Sequence, residues 1–212
     1  MGIQEVFCSE YWEARYSAAD RVWSGRPNRQ LVAEAADLRP GEALDAGCGE
    51  GADAIWLAER GWRVTAVDFA AAALRRGERQ AESLGAEIAG RIRWRQEDLT
   101  VWTPPERRFD LVNAEYVHFP PGRREPFFRS LAAAVAPGGT LLVVGHHPAD
   151  LEANLSRPPV PELFFTAEDV AAVLDPAEWE IEVAAARPVP ATDRDGRPAT
   201  AYDAVLRARR RA

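Results

Sequence analysis

The chain has 212 residues, 47% of them hydrophobic and 28% charged, and its 26 basic against 33 acidic side chains leave a formal net charge of −7. This length holds one well-buried α/β core and is short for two, while the acidic balance disfavours nucleic acid or a membrane surface as partner, since both reward a positive face. Every one of the 26 basic residues is Arg, which excludes Schiff-base chemistry, the phosphate-gripping lysine of P-loop enzymes and a lysine general base.

The opening residues carry Glu5 and Glu10 where a secretory signal has a basic start and an apolar stretch. No apolar run reaches about 18 residues, and the expectation is a soluble, reduced, cytoplasmic protein. Cys8 and Cys48 do not make a disulfide framework, and no C-x-x-C or H-E-x-x-H spacing is present to hold zinc. Helix-like patterns run over 7–17 and 28–38. An alternation of short strands (43–46, 63–67, 92–94, 109–112, 140–144) and helices (52–60, 70–84, 124–136) follows, the last helix closed by Pro137-Gly138-Gly139. Such alternation implies a mostly parallel sheet with helices on both faces. A Pro-rich connection over 146–161 leads to a short helix announced by the capping box Thr166-Ala167-Glu168-Asp169. Strands over 179–186 and 200–207 then flank the turn-rich Asp193-Arg194-Asp195-Gly196, spaced as an antiparallel pair at a sheet edge. The tail Arg207, Arg209, Arg210, Arg211 reads as a solvated end.

The chemistry is concentrated where strands end. Leu44-Asp45-Ala46-Gly47-Cys48-Gly49-Glu50-Gly51 leaves the first strand and enters a helix, and its glycines let backbone approach a ligand at the carboxyl edge of the sheet. Asp68 closes the second strand 21 residues beyond Gly47, the offset at which a carboxylate reaches ribose hydroxyls. A pyrophosphate would be repelled by Asp45 and Glu50, and the spacing is G-x-G-x-G instead of the dinucleotide G-x-G-x-x-G. S-adenosylmethionine, with an ammonium, a sulfonium and no phosphate, suits these charges, so Gly47, Cys48 and Gly49 are cofactor candidates. At the third strand end Asp98 can accept from the adenine amine while Leu99 covers the ring. The fourth strand runs into Asn113-Ala114-Glu115-Tyr116-Val117-His118, a polar cluster facing the ligand crevice.

With these pieces in order, LDAGCGEG, Val67-Asp68-Phe69, Gln96-Glu97-Asp98-Leu99, Phe109-Asp110-Leu111-Val112 and Pro137-Gly138-Gly139-Thr140-Leu141-Leu142, the chain resembles the class I S-adenosylmethionine-dependent methyltransferases. The opening Tyr11-Trp12-Glu13-Ala14-Arg15-Tyr16 and Val22-Trp23-Ser24-Gly25 resemble the small-molecule branch with the tellurite-resistance-type and thiopurine-type enzymes. The resemblance implies a single Rossmann-like α/β domain, residues 1–40 a helical lid and 41–212 the core. Its doubly wound sheet would have seven strands in the order 3-2-1-4-5-7-6, strand seven antiparallel. It further implies that Arg15 pairs with the methionine carboxylate, that Trp23 packs near the sulfonium, and that Asp45, Phe69 and Asn113 line the cofactor. S-adenosylhomocysteine would be the product.

Methyl transfer is an in-line displacement, so the protein chiefly holds the nucleophile near the methyl carbon and excludes water. A base is needed only if the nucleophile arrives protonated. His118 and His146, with His147, lie at expected strand ends, and Glu115 and Tyr116 compete for the catalytic role. A metal held by the histidines is disfavoured, because His146 and His147 on an extended segment point to opposite sides. Cys48 sits by a helix N-terminus that would lower its thiol pKa, yet a nucleophile there would collide with the cofactor, so it reads as packing. Trp56, Trp62, Trp94 and Trp179 read as core; Trp12, Trp23, Trp102, Phe119, Phe164 and Phe165 are candidates for an aromatic substrate wall. The leading reading is methyl transfer to an O, N or S nucleophile of a small molecule. A chalcogen or thiol methyltransferase, and a catalytically silent cofactor-binding regulator, stay open as alternatives. The sequence leaves monomer and homodimer equally open.

Overall fold

The computed structural model describes residues 9–19, 21–157 and 160–212; the start of the first expected helix and Cys8 lie outside them. Five strands, β1 (Glu42–Ala46), β2 (Arg63–Asp68), β3 (Ile92–Gln96), β4 (Phe109–Glu115) and β5 (Val135–His146), are joined by two more, β6 (Trp179–Thr192) and β7 (Pro198–Arg210). All seven form one sheet in the order β3-β2-β1-β4-β5-β7-β6. β1 to β5 pair in parallel, and β7 runs antiparallel to both neighbours. The expected order and the reversed seventh strand are thereby observed. β1 and β4 are buried nearly throughout, as central parallel strands must be when both faces are covered.

Side-chain alternation divides the core into two layers. Leu44, Val67, Val112, Leu141 and Val143 pack under Phe127, Phe128 and Leu131 of α6 (Arg124–Ala134). On the opposite face Ala43, Leu111, Leu142 and Val144 pack under Leu31 of α2 (Arg29–Ala35) and Leu57 of α3 (Ala52–Glu59). Each fully buried Leu or Phe contributes roughly 1.5–3 kcal/mol. The second helical segment is therefore core, and the reading of the whole of 1–40 as a lid is corrected. Among the described residues α1 (Ser9–Ser17) and the loop after it lie over the glycine turn, where Trp12 and Val22 pack against Tyr16 and Ala73 of α4 (Ala71–Leu84), the helix that the short α5 (Ala86–Ala89) follows.

The candidate aromatic wall is also corrected for three residues. Phe119, Phe164 and Phe165 are buried, and the Phe165 ring fills the space a side chain on Gly145 would need, 2.2 Å from an added Cβ. Trp94 of β3 likewise lies 2.2 Å from a Cβ built on Gly51 and 2.5 Å from one on Gly77, so an indole floor fixes how the glycine turn meets α4. The capping box at Thr166 is present at the head of α7 (Ala167–Ala171).

The last hairpin is longer than expected, and β6, the outermost strand, carries Pro188 and Pro190 within an unbroken ladder to Tyr202 and Thr200. Proline lacks an N–H, and an edge strand tolerates it where that N–H would face solvent. Those prolines are why 187–192 reads as a connection in the sequence. No helix among the described residues is long and apolar enough to cross a membrane.

Candidate active site

The carboxyl ends of β1, β2 and β4 gather most of the candidate residues. Asp68, buried at the end of β2, accepts the Gly49 N–H with Oδ2 and the Ala70 N–H with Oδ1, both at 2.9 Å. Its carboxylate thus ties the second strand to the glycine turn, and burial holds its pKa up. Gly47 (φ 77°) and Gly49 (φ 52°) take left-handed backbone, which glycine adopts without a Cβ clash. Leu99 and Val117 close around Gly47. Asp98 is exposed and accepts the Thr100 N–H with Oδ1 at 2.8 Å, while its Oδ2 has no hydrogen bond from any described residue. The Phe69 carbonyl accepts from Gln96 Nε2 at 3.1 Å.

Over this turn lies the N-terminal segment. Trp23 Nε1 donates to Tyr16 Oη at 2.8 Å, and the two meet Gly49 at 3.0–3.5 Å from its virtual Cβ. The Arg15 guanidinium sits 5.1 Å from the rings of both Trp12 and Trp23, an arrangement favourable to cation–π attraction. Glu50, expected to crowd the ligand, turns instead to the lid: its carboxylate accepts the Val22 and Trp23 N–H groups at 3.0–3.2 Å and pairs with Arg76 Nη1 at 2.9 Å. Arg76 Nη2 in turn donates to the Tyr16 and Ala19 carbonyls. Nothing local in the sequence singles out Arg76, one of several charges on an amphipathic helix, or Tyr16, a tyrosine at the end of a motif.

Beneath the turn is a set of acceptors. Asn113, fully buried, donates through Nδ2 to Asp45 Oδ1 and to Glu115 Oε2, each at 2.9 Å. Asp45 Oδ2, Glu115 Oε1 and Asn113 Oδ1 have no partner among the described residues. Burial, reinforced by the charge of Asp53, pushes both the Asp45 and Glu115 carboxyls well up. An acceptor-only set costs free energy unless a donor or cation completes it, and the ammonium and sulfonium of S-adenosylmethionine fit such a place as a phosphate would not. Burial also raises the Cys48 thiol, helped by Asp45 and Asp68, so the lowering expected from the helix N-terminus is overruled.

Asp53 belongs to the same group. Its Oδ1 accepts the Asn28 N–H at 2.5 Å, and burial lifts its pKa from 3.8 to about 6. Between those values the folded chain keeps a proton the unfolded chain has lost, so stability falls as pH rises through that window and levels off above about 6. Asp53→Asn is expected to be more stable than the parent by about 3 kcal/mol near pH 7.5 and equal to it below about pH 4. Unfolding titrations across that range check this; a difference that does not change with pH would contradict it.

The histidines stand at the end of β5. His118 Nε2 accepts the His146 N–H at 3.0 Å. Burial lowers its pKa to about 4, so the ring that the sequence offers as a base is uncharged at neutral pH and has its Nε2 already occupied. His146 stacks on His118 at 4.8 Å and lies 4.7 Å from the Tyr116 ring. Burial, then the charges of His118 and Arg157, lowers it to about 2, and its Nδ1 is unpartnered among the described residues. Tyr116 has φ 57° and donates its hydroxyl to Asp203 Oδ1 at 2.8 Å; burial and Asp203 raise its pKa. His147 accepts the Ala149 N–H and caps a short turn.

Residues 43–139 match the family model described as a methyltransferase domain. The chain is 30% identical over 184 residues to 2-heptyl-1-hydroxyquinolin-4(1H)-one methyltransferase of Mycobacteroides abscessus, covering 79% of each. It is 32% identical to trans-aconitate 2-methyltransferase of Rhizobium meliloti over 62% of this chain and 49% of that one, about half that relative's length. A probable thiol methyltransferase of Arabidopsis thaliana is 28% identical over 63% and 60%. Among solved structures, TehB from Haemophilus influenzae superposes with a TM-score of 0.70 at 18% identity, over 96% of this chain and 67% of that one. At that identity the superposition speaks for the fold alone.

Proposed function

Since the chain belongs to the S-adenosylmethionine-dependent methyltransferases, we propose that it methylates a small molecule at a heteroatom that ionises without help from the protein: an acidic hydroxyl, an N-hydroxyl or a thiol. The observation that carries this is the histidine pair. Nε2 of His118 is committed to the His146 N–H, and burial lowers His118 to about 4 and His146 to about 2, so neither ring takes up a proton at neutral pH. A nucleophile that arrives as an anion needs neither.

When bound, the cofactor would supply a methyl group activated by its sulfonium, with the neutral thioether S-adenosylhomocysteine as leaving group; the chain's own residues hold, orient and shield. In this reading Asp68 receives the ribose hydroxyls, and Asp98 and Leu99 take the adenine. Gly47, Cys48, Gly49 and Phe69 line the cofactor. Arg15 meets the methionine carboxylate beneath the Trp12–Trp23 lid, while Asp45, Asn113 and Glu115 face its cationic end. Tyr116 and His146 form the wall against which the acceptor is placed, close enough for a displacement without diffusion. Three relatives are named for a 1-hydroxyquinolone, an aconitate and a thiol, all compounds with an ionisable O–H or S–H, which supports the same reading.

The test is the pH dependence of kcat/KM for phenols and thiols of graded acidity. The inflection is expected to follow the pKa of each acceptor, and His146→Gln to lower kcat/KM by less than about threefold, where removal of a true general base costs about 10²–10⁴-fold. One inflection common to all acceptors, abolished in His146→Gln, would refute it.

A further inference from the structure

A cleft of about 440 Å³ opens between the β6–β7 hairpin, the start of α2 and the segment around Arg157, within the size of small-ligand pockets. Its floor is Tyr116, the residue that follows β4, and one wall is apolar, with Val189 and Pro190. Its charges are Arg29, Arg157 and Asp203. Asp203 is fully buried and both its oxygens are taken, by Gln30 Nε2 at 2.9 Å and Tyr116 Oη at 2.8 Å. Arg29 is exposed at the first position of α2 and makes no ion pair or hydrogen bond with any described residue. Arg157 is aimed: its Nε donates at 2.8 Å to Asp150, whose buried carboxylate is itself fixed by the Tyr202 N–H at 2.8 Å. That grip uses one donor, and among the described residues the paired Nη nitrogens have no hydrogen-bond partner.

In a chain of net charge −7 this is a cationic recess with an apolar side. A guanidinium oriented through Nε presents a planar fork that matches two carboxylate oxygens. Resting on the methyltransferase reading above, we propose that the acceptor binds here and carries a carboxylate apart from its nucleophile. The anionic end lies on Arg157 and Arg29, and the apolar body lies against Val189 and Pro190. Tyr116 lines this cleft while its neighbour Val117 closes on Gly47 of the glycine turn, so in this reading the carboxylate sets how far the nucleophile reaches toward the cofactor.

The test is a calorimetric titration of the S-adenosylhomocysteine-loaded protein with salicylate and thiosalicylate and with their methyl esters. The acids are expected to bind at least about tenfold more tightly than the esters, a charge-assisted pair being the difference. Arg157→Gln is expected to remove that preference without changing S-adenosylhomocysteine affinity, which also reports that the variant is folded. Arg29→Gln, at an exposed helix start, is expected to reduce it by about threefold. Acids and esters within about twofold of each other, no acid binding up to about 10 mM, or equal losses for both in Arg157→Gln would overturn the proposal. Failure of S-adenosylhomocysteine itself to bind would strike the methyltransferase reading instead, and this one with it.

Discussion

Asp68→Ala is expected to weaken S-adenosylmethionine and S-adenosylhomocysteine by about a hundredfold to a thousandfold in a calorimetric titration. Each carboxylate oxygen already accepts one backbone N–H, from Gly49 or Ala70, and each keeps a lone pair for a hydroxyl. Two charge-assisted hydrogen bonds at roughly 1.5–3 kcal/mol apiece give about 3–6 kcal/mol, and the lower part of that range, about 3–4 kcal/mol, is that loss in affinity. Removing the side chain also orphans two N–H groups at the turn, so Asp68→Asn supplies the control. It retains the volume and one acceptor oxygen, and turns an NH2 toward a donor, so it is expected to fall between parent and alanine. Unchanged affinity in both variants would mean that the ribose lies elsewhere.

Glu50→Ala is expected to lower stability by about 2–4 kcal/mol and to quicken release of S-adenosylhomocysteine by at least about tenfold. The Glu50–Arg76 pair is mostly buried, with side chains 9% and 18% exposed, and it serves two masters. Glu50 holds the N–H groups of Val22 and Trp23, and Arg76 holds the carbonyls of Tyr16 and Ala19. Loss of the carboxylate leaves a guanidinium without its partner and frees Trp23 from Gly49. Denaturant unfolding and stopped-flow tryptophan fluorescence read the two effects separately. A stability loss with unaltered release would make the pair a simple fold contact.

The sheet was legible because β1, β2, β4 and β5 are short apolar runs punctuated by glycine turns, and patterns of that kind answer to one architecture. Gly47, Gly49 and Asp68 were legible for a related reason: their spacing is dictated by backbone geometry alone. What escaped was decided by partners far away in sequence. Glu50 looked like a charge at the ligand until Arg76, 26 residues on, claimed it. His118 looked like a base, and only the fold brings the His146 N–H to its free nitrogen. Phe165 looked like a wall until Gly145 gave it a socket. The cleft holding Arg29 and Arg157 joins segments more than a hundred residues apart, and no local pattern announces it.

The outermost strand bears on how the protein behaves when concentrated. An edge strand with free N–H and C=O groups is a template on which a second chain can add. Along the distal half of β6, Pro188 and Pro190 interrupt the outward row of donors, so a neighbour laid against that stretch would find acceptors without matching hydrogens. Growth of the sheet from chain to chain is blocked there by the covalent structure of the ring, whatever the ionic strength or temperature of the solution.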